Sequence, residues 1–315
     1  MARVNNPFIV TGKIEAEYFC DRVTESAKVI KTITNGNNLV IISPRRMGKT
    51  GLIQFCYDKP QIAEEYYTFF IDILHTTSLR EFTYLLGRTI YDTLLPRSRK
   101  MASLFIQTIK SINGKFGFDP ITNMPTFNVE LGDIERPEYT LDEIFRYLAE
   151  ADKPCIVAID EFQQIAKYPE KNIEALLRTH IQKLGNCNFI FAGSERHMMQ
   201  EMFTSSARPF YNSADLLELR AIAPEIYIPF VCGHFEKRSR HIAPENVSGC
   251  IISSRGIPTI SSAPSMRLLP THRRAKSAHE RLSRRLSKIW WRQTTLSFER
   301  FCRTFQRSRK LCSTP

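Results

Sequence analysis

Two short clusters of reactive side chains stand out: Gly48-Lys49-Thr50 in "IISPRRMGKTGL" (residues 41–52) and Asp160-Glu161 in "CIVAIDEF". A glycine, four free positions, then Gly-Lys-Ser/Thr is the spacing that wraps backbone N–H groups around phosphate. Those groups and the helix N-terminus behind them surround a β-phosphate, while Lys49 bridges the β- and γ-phosphates. The Thr50 hydroxyl would ligate Mg²⁺. The stretch Ser43, Pro44, Arg45, Arg46, Met47, Gly48, Lys49, Thr50 and Gly51 is therefore expected to cradle a nucleoside triphosphate. Ser43 replaces the usual first glycine, which is tolerated if its φ stays negative. The alternative is a chance Gly-Lys-Thr in a basic turn, with Arg45 and Arg46 simply facing water.

The acid pair supplies the complementary chemistry. At the end of an apolar strand, Asp160 would hold Mg²⁺ through water and Glu161 would polarise the attacking water. Ser194, ending the next apolar run in "FIFAGSERHMM", is placed to sense a γ-phosphate. Arg208, in "SSARPFYN", is the candidate for stabilising charge in a phosphoryl transition state. A strand-terminal turn and a solvated arginine are the plainer alternatives for these two. Met198, Met199 and Met202 recur at helical spacing and suggest packing.

The elements that must position these groups alternate. A helical pattern over "EAEYFCDRVTESAKVIKTITNG" ends at Asn35-Gly36, and "NLVIIS" follows as a buried strand. "GKTGLIQFCYD" reads as a helix and "EYYTFFIDIL" as a second strand. A helix from "SLREFTYLL" continues through "MASLFIQTIKSI" after a break near Pro96. "GKFGFDPITNMPTFNVELG" alternates around a Pro/Asn turn and reads as a β-hairpin, near 115–132. Next come a helix in "TLDEIFRYLAEA", a third strand in "PCIVAIDEF", a helix in "NIEALLRTHIQKLG", a fourth strand in "CNFIFAGS" and a fifth in "LLELRAI". Such alternation implies a mainly parallel sheet covered on both faces.

The 315 residues, 43% hydrophobic and 24% charged, suit a globular chain with a sizeable core. Eight scattered cysteines form no metal-binding spacing and are expected to be inert thiols in a reducing compartment. No signal-like or membrane-length apolar run is present, which points to the cytoplasm and away from a membrane. The chain holds 44 basic and 32 acidic residues, but 251–315 alone hold 15 and 2, leaving 29 and 30 in residues 1–250. The body thus gives no electrostatic support for nucleic acid.

In combination, "SPRRMGKTGL", "CIVAIDEFQ" and "FIFAGSERHMM" followed by "ARPFYNSADLLEL" resemble the archaeal-type P-loop ATPases of the AAA-like/STAND branch. The resemblance covers about residues 6–247. Its opening box is matched by "NPFIVTGKIEAEYFCDR", with Phe19 and Arg22 at the positions expected near adenine. It implies a P-loop NTPase three-layer αβα sandwich, a five-stranded sheet of order 5-1-4-3-2, the cofactors ATP and Mg²⁺, and slow, regulated hydrolysis. The expected domains are 1–235 for the ATPase, 236–250 for the start of a truncated helical and winged-helix region, and 251–315 for a basic, irregular tail. From roughly Ser248 the chain is expected to be translated out of frame: permitted codon choices turn "IISSRGIPTISSAPSMRLLPT" into the amphipathic "YLFEGHTYYLQRTFNEAFAYT".

Three functions follow. The first is an ATPase coupling nucleotide state to a protein partner, the second a nucleotide-gated scaffold with negligible hydrolysis, and the third a DNA-associated ATPase of the origin-recognition type. An oligomer is compatible with each.

Overall fold

The computed structural model describes residues 17, 19–112, 116–118, 125–127, 129–237 and 241–253. The element order is α1 (Val23–Thr34), β1 (Leu39–Ile42), α2 (Lys49–Tyr57), α3 (Pro60–Ala63), β2 (Tyr67–Asp72), α4 (Leu79–Arg97), α5 (Arg99–Thr108), β3 (Phe116–Phe118), β4 (Pro125–Phe127) and α6 (Pro137–Glu150). There follow β5 (Cys155–Asp160), α7 (Ile173–Ile181), β6 (Cys187–Gly193), α8 (Arg196–Thr204), β7 (Asp215–Glu218), α9 (Pro224–Glu236) and α10 (Pro244–Ser253). Among the described residues no helix is long and apolar enough to cross a membrane.

Five strands form one parallel sheet in the order β2-β5-β6-β1-β7. Counted along the chain without the hairpin strands, this is 2-3-4-1-5, the expected 5-1-4-3-2 viewed from the other edge. Strands β3 and β4 pair separately and antiparallel, which is the expected hairpin.

The apolar runs of the strands follow from burial on both faces. Val40 and Ile42 of β1 join one core with Phe82, Leu86 and Ile90 of α4 and with Leu141 and Ile144 of α6. The alternate residues Leu39 and Ile41 join the other core, with Val29 and Ile33 of α1 and Leu52 and Ile53 of α2. The period of two in the strand thus sorts side chains between two helical layers. Met199 and Met202 are fully buried in the first core, as their helical spacing suggests. Cysteines 20, 56, 155 and 187 are free and buried. Burial raises the thiols of Cys20, Cys56 and Cys155 to about 12, which keeps them protonated and unreactive at neutral pH.

One helix boundary differs from the sequence expectation, while the break expected near Pro96 is found at Ser98. Helix α1 begins only at Val23, because Asp21 and Arg22 both take left-handed backbone conformations, with φ of 57° and 68°. That bend frees the Arg22 side chain to reach inward. The long α4 also passes through Pro96, and the chain breaks at Ser98, whose hydroxyl accepts the Met101 N–H and caps α5. Pro96 lies in the last turn of α4, so the helical hydrogen bond it removes is one close to the helix end. Helices α9 and α10 share an apolar cluster in which Tyr227, Val231 and Val247 surround Cys20. The expectations for the tail, apart from residues 251–253 in α10, lie outside the described residues.

Candidate phosphate-binding site at the strand ends

Strands β1, β5 and β6 end side by side, so Ser43, Glu161 and Ser194 emerge from the same edge of the sheet. In open α/β sheets this carboxyl edge is where ligands sit. The loop that leaves β1 is anchored at Ser43, whose N–H donates to the Gly193 carbonyl at 3.2 Å and whose hydroxyl donates to the Pro44 carbonyl at 3.1 Å. Ser43 is buried, and it is not among the described non-glycine residues with positive φ. A side chain at this position therefore imposes no backbone strain, and glycine is not required.

The two special conformations lie further along. Arg46 adopts φ 66°, and Gly48, at φ 88°, is the residue immediately before α2. There the left-handed backbone is inexpensive only for glycine. It turns the chain so that the first N–H groups of α2, which have no acceptors within the helix, face the loop. Pro44, Arg45 and Arg46 are exposed, whereas Met47 and Lys49 are buried.

Lys49 and Thr50 each meet one member of the acid pair. The Thr50 hydroxyl donates to Asp160 Oδ2 at 2.7 Å, and the Lys49 ammonium lies 3.8 Å from Glu161 Oε1. Burial raises the Asp160 carboxyl pKa against the opposing effects of Thr50 and Lys49. Burial acts the same way on Glu161, but hydrogen bonds from Ser194 and Gln163, with Lys49 and Arg45 nearby, overcome it and the net shift is downward. Glu161 thus stays an anion and a proton acceptor. It also stands at φ 57°, a conformation that disfavours a side chain by about 1–2 kcal/mol. Strain of this kind concentrates where a side chain must be aimed.

Ser194 joins the acid pair as expected: its hydroxyl donates to Glu161 Oε2 at 2.6 Å. Sequence reasoning missed Gln163, whose Nε2 donates to the same oxygen at 2.6 Å. Nothing in the sequence marks it, because the contact depends on the chain folding back in the 3-10 turn Phe162–Lys167.

A cavity of about 400 Å³ opens between the loop and the end of β7, lined by Ser43, Pro44 and Met47 on one side and by Glu218, Leu219 and Arg220 on the other. Its size suits a small organic ligand. Arg196 and Glu218 line it too and form an ion pair of 2.8 Å. Neither was singled out from the sequence. Arg22 braces the same region from beneath, donating to the Arg220 carbonyl at 2.6 Å and to the Met47 carbonyl at 3.4 Å. Its other terminal nitrogen pairs with Glu25.

Two expected residues stand apart from these contacts. Phe19 does not line the cavity; its ring stacks on Phe55 of α2 at 4.2 Å between centroids. Arg208 is held by Glu174 and Glu201, each at 3.2 Å.

Thr50 and Asp160 are hard oxygen ligands in contact, and Mg²⁺ commonly takes only one or two protein oxygens beside phosphate and water. The described residues hold no group of three or more His, Cys, Asp or Glu that could cage a metal by themselves. The donor set therefore fits a cation shared with a phosphate ligand.

Residues 19–239 match the family described as an ATPase domain found predominantly in Archaea. The chain belongs to that family. No curated protein matches it significantly by sequence. Among solved structures, this ATPase domain is similar to the Walker-type ATPase of Pyrococcus abyssi, at 18% identity over 80% of this chain and 68% of that one, with a TM-score of 0.56. It is also similar to the ADP form of the ORC2 protein of Aeropyrum pernix, at 14% identity over 81% and 63% of the two chains, with a TM-score of 0.50. At these identities the likeness is one of fold. It is the P-loop ATPase fold, with β6 between the loop strand β1 and the acid strand β5.

Proposed function

We propose that this ATPase domain binds ATP with Mg²⁺ and hydrolyses it to ADP and phosphate, coupling nucleotide state to a protein partner in the manner of the AAA-like/STAND branch. The observation that carries the proposal is the meeting of Lys49 and Thr50 with Glu161 and Asp160 at the loop's end.

The loop N–H groups and Lys49 hold the β- and γ-phosphates, and the cavity beside Met47 and Leu219 receives the nucleoside end. Thr50 and Asp160 would hold Mg²⁺, which would supply charge neutralisation to the transferred group. Glu161 accepts a proton from water as the water oxygen bonds to the γ-phosphorus. The bond from that phosphorus to the bridging oxygen breaks, and ADP leaves as its anion. Ser194, already on Glu161, links the carboxylate to the end of β6.

Lys49→Ala is expected to abolish ATP binding measured by calorimetry. Glu161→Gln is expected to retain ATP and lose turnover by at least about 100-fold, the scale for loss of a general base. ATP binding that survives Lys49→Ala would refute the binding assignment. Unchanged turnover in Glu161→Gln would refute the hydrolytic one.

A further inference from the structure

Gln163 lies two residues beyond Glu161 and is 1% exposed. A buried polar side chain at such a position needs a physical reason, since an apolar residue would pack there without desolvating an amide. Its Nε2 donates to Glu161 Oε2 at 2.6 Å, on the same oxygen that accepts from Ser194. Its Oε1 is buried with no hydrogen-bond partner. The amide cannot be reversed to relieve this, because reversal would aim a lone-pair oxygen at a carboxylate. An unsatisfied buried acceptor is destabilising, so the orphaned carbonyl is the counterpart of delivering N–H to Glu161.

The backbone opposite is shaped to admit this arrangement. A Cβ at Gly193 would collide with Gln163 Oε1 and would lie 2.5 Å from Cγ and Sδ of Met199. Any side chain at the end of β6 would force the Gln163 amide and Met199 to shift. Gly193 also accepts the N–H of Ser43, so the same residue links the amide's pocket to the start of the phosphate loop.

We infer that Gln163 is a positioning residue for ATP hydrolysis. Together with Ser194 it pins Oε2 of Glu161, leaving Oε1, the oxygen on the Lys49 side, to receive the proton of the attacking water. The inference rests on the proposed hydrolytic role of Glu161. Two donors on one oxygen fix both the position and the rotation of the carboxylate, while one donor fixes only its position. Misplacement of a reacting group by about 1 Å lowers a rate by roughly 100-fold.

The test uses the full chain and Gln163→Leu, which keeps the buried volume and removes the donor. Turnover is expected to fall about 10- to 100-fold, with the Kd for ATP within about twofold and the melting temperature little changed. In a Glu161→Gln background the same substitution is expected to lower the residual single-turnover rate no further, because its effect passes through the lost carboxylate. A purely structural role would lower that rate again.

If Gln163→Leu fails to fold, Gln163→Met repeats the measurement with a flexible side chain of similar length. Wild-type or faster turnover in the donor-free variant overturns the inference alone, as does an equal loss in the Glu161→Gln background. Absence of turnover in the wild-type chain, or full turnover in Glu161→Gln, overturns the hydrolytic proposal and this one with it.

Discussion

The Thr50 hydroxyl and the Asp160 carboxylate are 2.7 Å apart, joined by a hydrogen bond that spans 110 positions of sequence. Two oxygens proposed to hold one cation are thus brought together by the protein itself. Thr50→Val keeps the shape and removes the hydroxyl, and is expected to weaken the Mg²⁺ dependence of ATP binding by about 10- to 100-fold. Thr50→Ser is expected to restore it. Titration of Mg²⁺ at fixed ATP checks the pair, and an unaltered Mg²⁺ response in the valine variant would contradict the assignment.

Burial disfavours the charged form of Asp160, against the hydrogen bond from Thr50 and the nearby Lys49 ammonium. Its folded pKa is raised by burial, so its contribution is favourable below its unfolded pKa and is lost as pH rises through the folded value. Asp160→Asn is therefore expected to raise the melting temperature of the nucleotide-free protein at pH 7 while removing Mg²⁺-dependent turnover. The stability gain should shrink as the pH is lowered toward the carboxylate range. A variant that melts lower at pH 7 would show that Asp160 is net stabilising.

Glu218 places a negative charge on the wall of the cavity proposed to receive the nucleoside end of ATP, beside the loop proposed to hold its phosphates, with Arg196 as its partner at 2.8 Å. Two unit charges about 10 Å apart at an effective dielectric of 20 interact by about 1–2 kcal/mol. Because the site is partly open to solvent, screening reduces this. Glu218→Gln is expected to tighten ATP binding by about threefold to tenfold at low salt, with the gain diminishing at high salt. Equal affinities at low salt would place the phosphates away from this wall.

Gly193→Ala is expected to destabilise the fold by about 1–3 kcal/mol, the usual range for overpacking a core. The methyl group would meet Met199 Cγ and Sδ at 2.5 Å and displace the amide of Gln163. Turnover should fall more than ATP affinity, since the added methyl group meets Gln163 and Met199 rather than the loop. Thermal melting and parallel Kd and kcat measurements separate these effects, and an alanine variant as stable as wild type would show that the neighbours give way freely.

The layers of the fold were legible because burial on two faces writes itself into continuous apolar strands such as "NLVII" and "CIVAI". The phosphate loop and acid pair were legible because their chemistry is local: Lys49 and Thr50 follow one glycine, and Asp160 and Glu161 end one strand. Gln163, Gly193, Arg196 and Glu218 were not. Each acquires its role from a neighbour on another element, such as Gln163 against Gly193 or Arg196 across β1 to Glu218. The late start of α1 was hidden for a related reason: the left-handed pair Asp21-Arg22 is held by the long reach of Arg22 to Arg220 and Met47, and local periodicity ran straight through it.

Helix α8 buries Met199, Met202 and Phe203, while its polar side is held by charge. Glu195, just before it, pairs with Lys167; Arg196 pairs with Glu218; and Glu201 pairs with Arg208, which also holds Glu174. The buried face is rich in methionine, a side chain that adapts its shape with little penalty. Arg208–Glu174 is largely buried, but Lys167–Glu195 and Arg196–Glu218 are open to solvent and are weakened by dissolved ions over a distance of about 10 Å at 0.1 M. The helix that follows Ser194 is therefore fastened by contacts that ionic strength can loosen, resting on a surface compliant enough to let it shift.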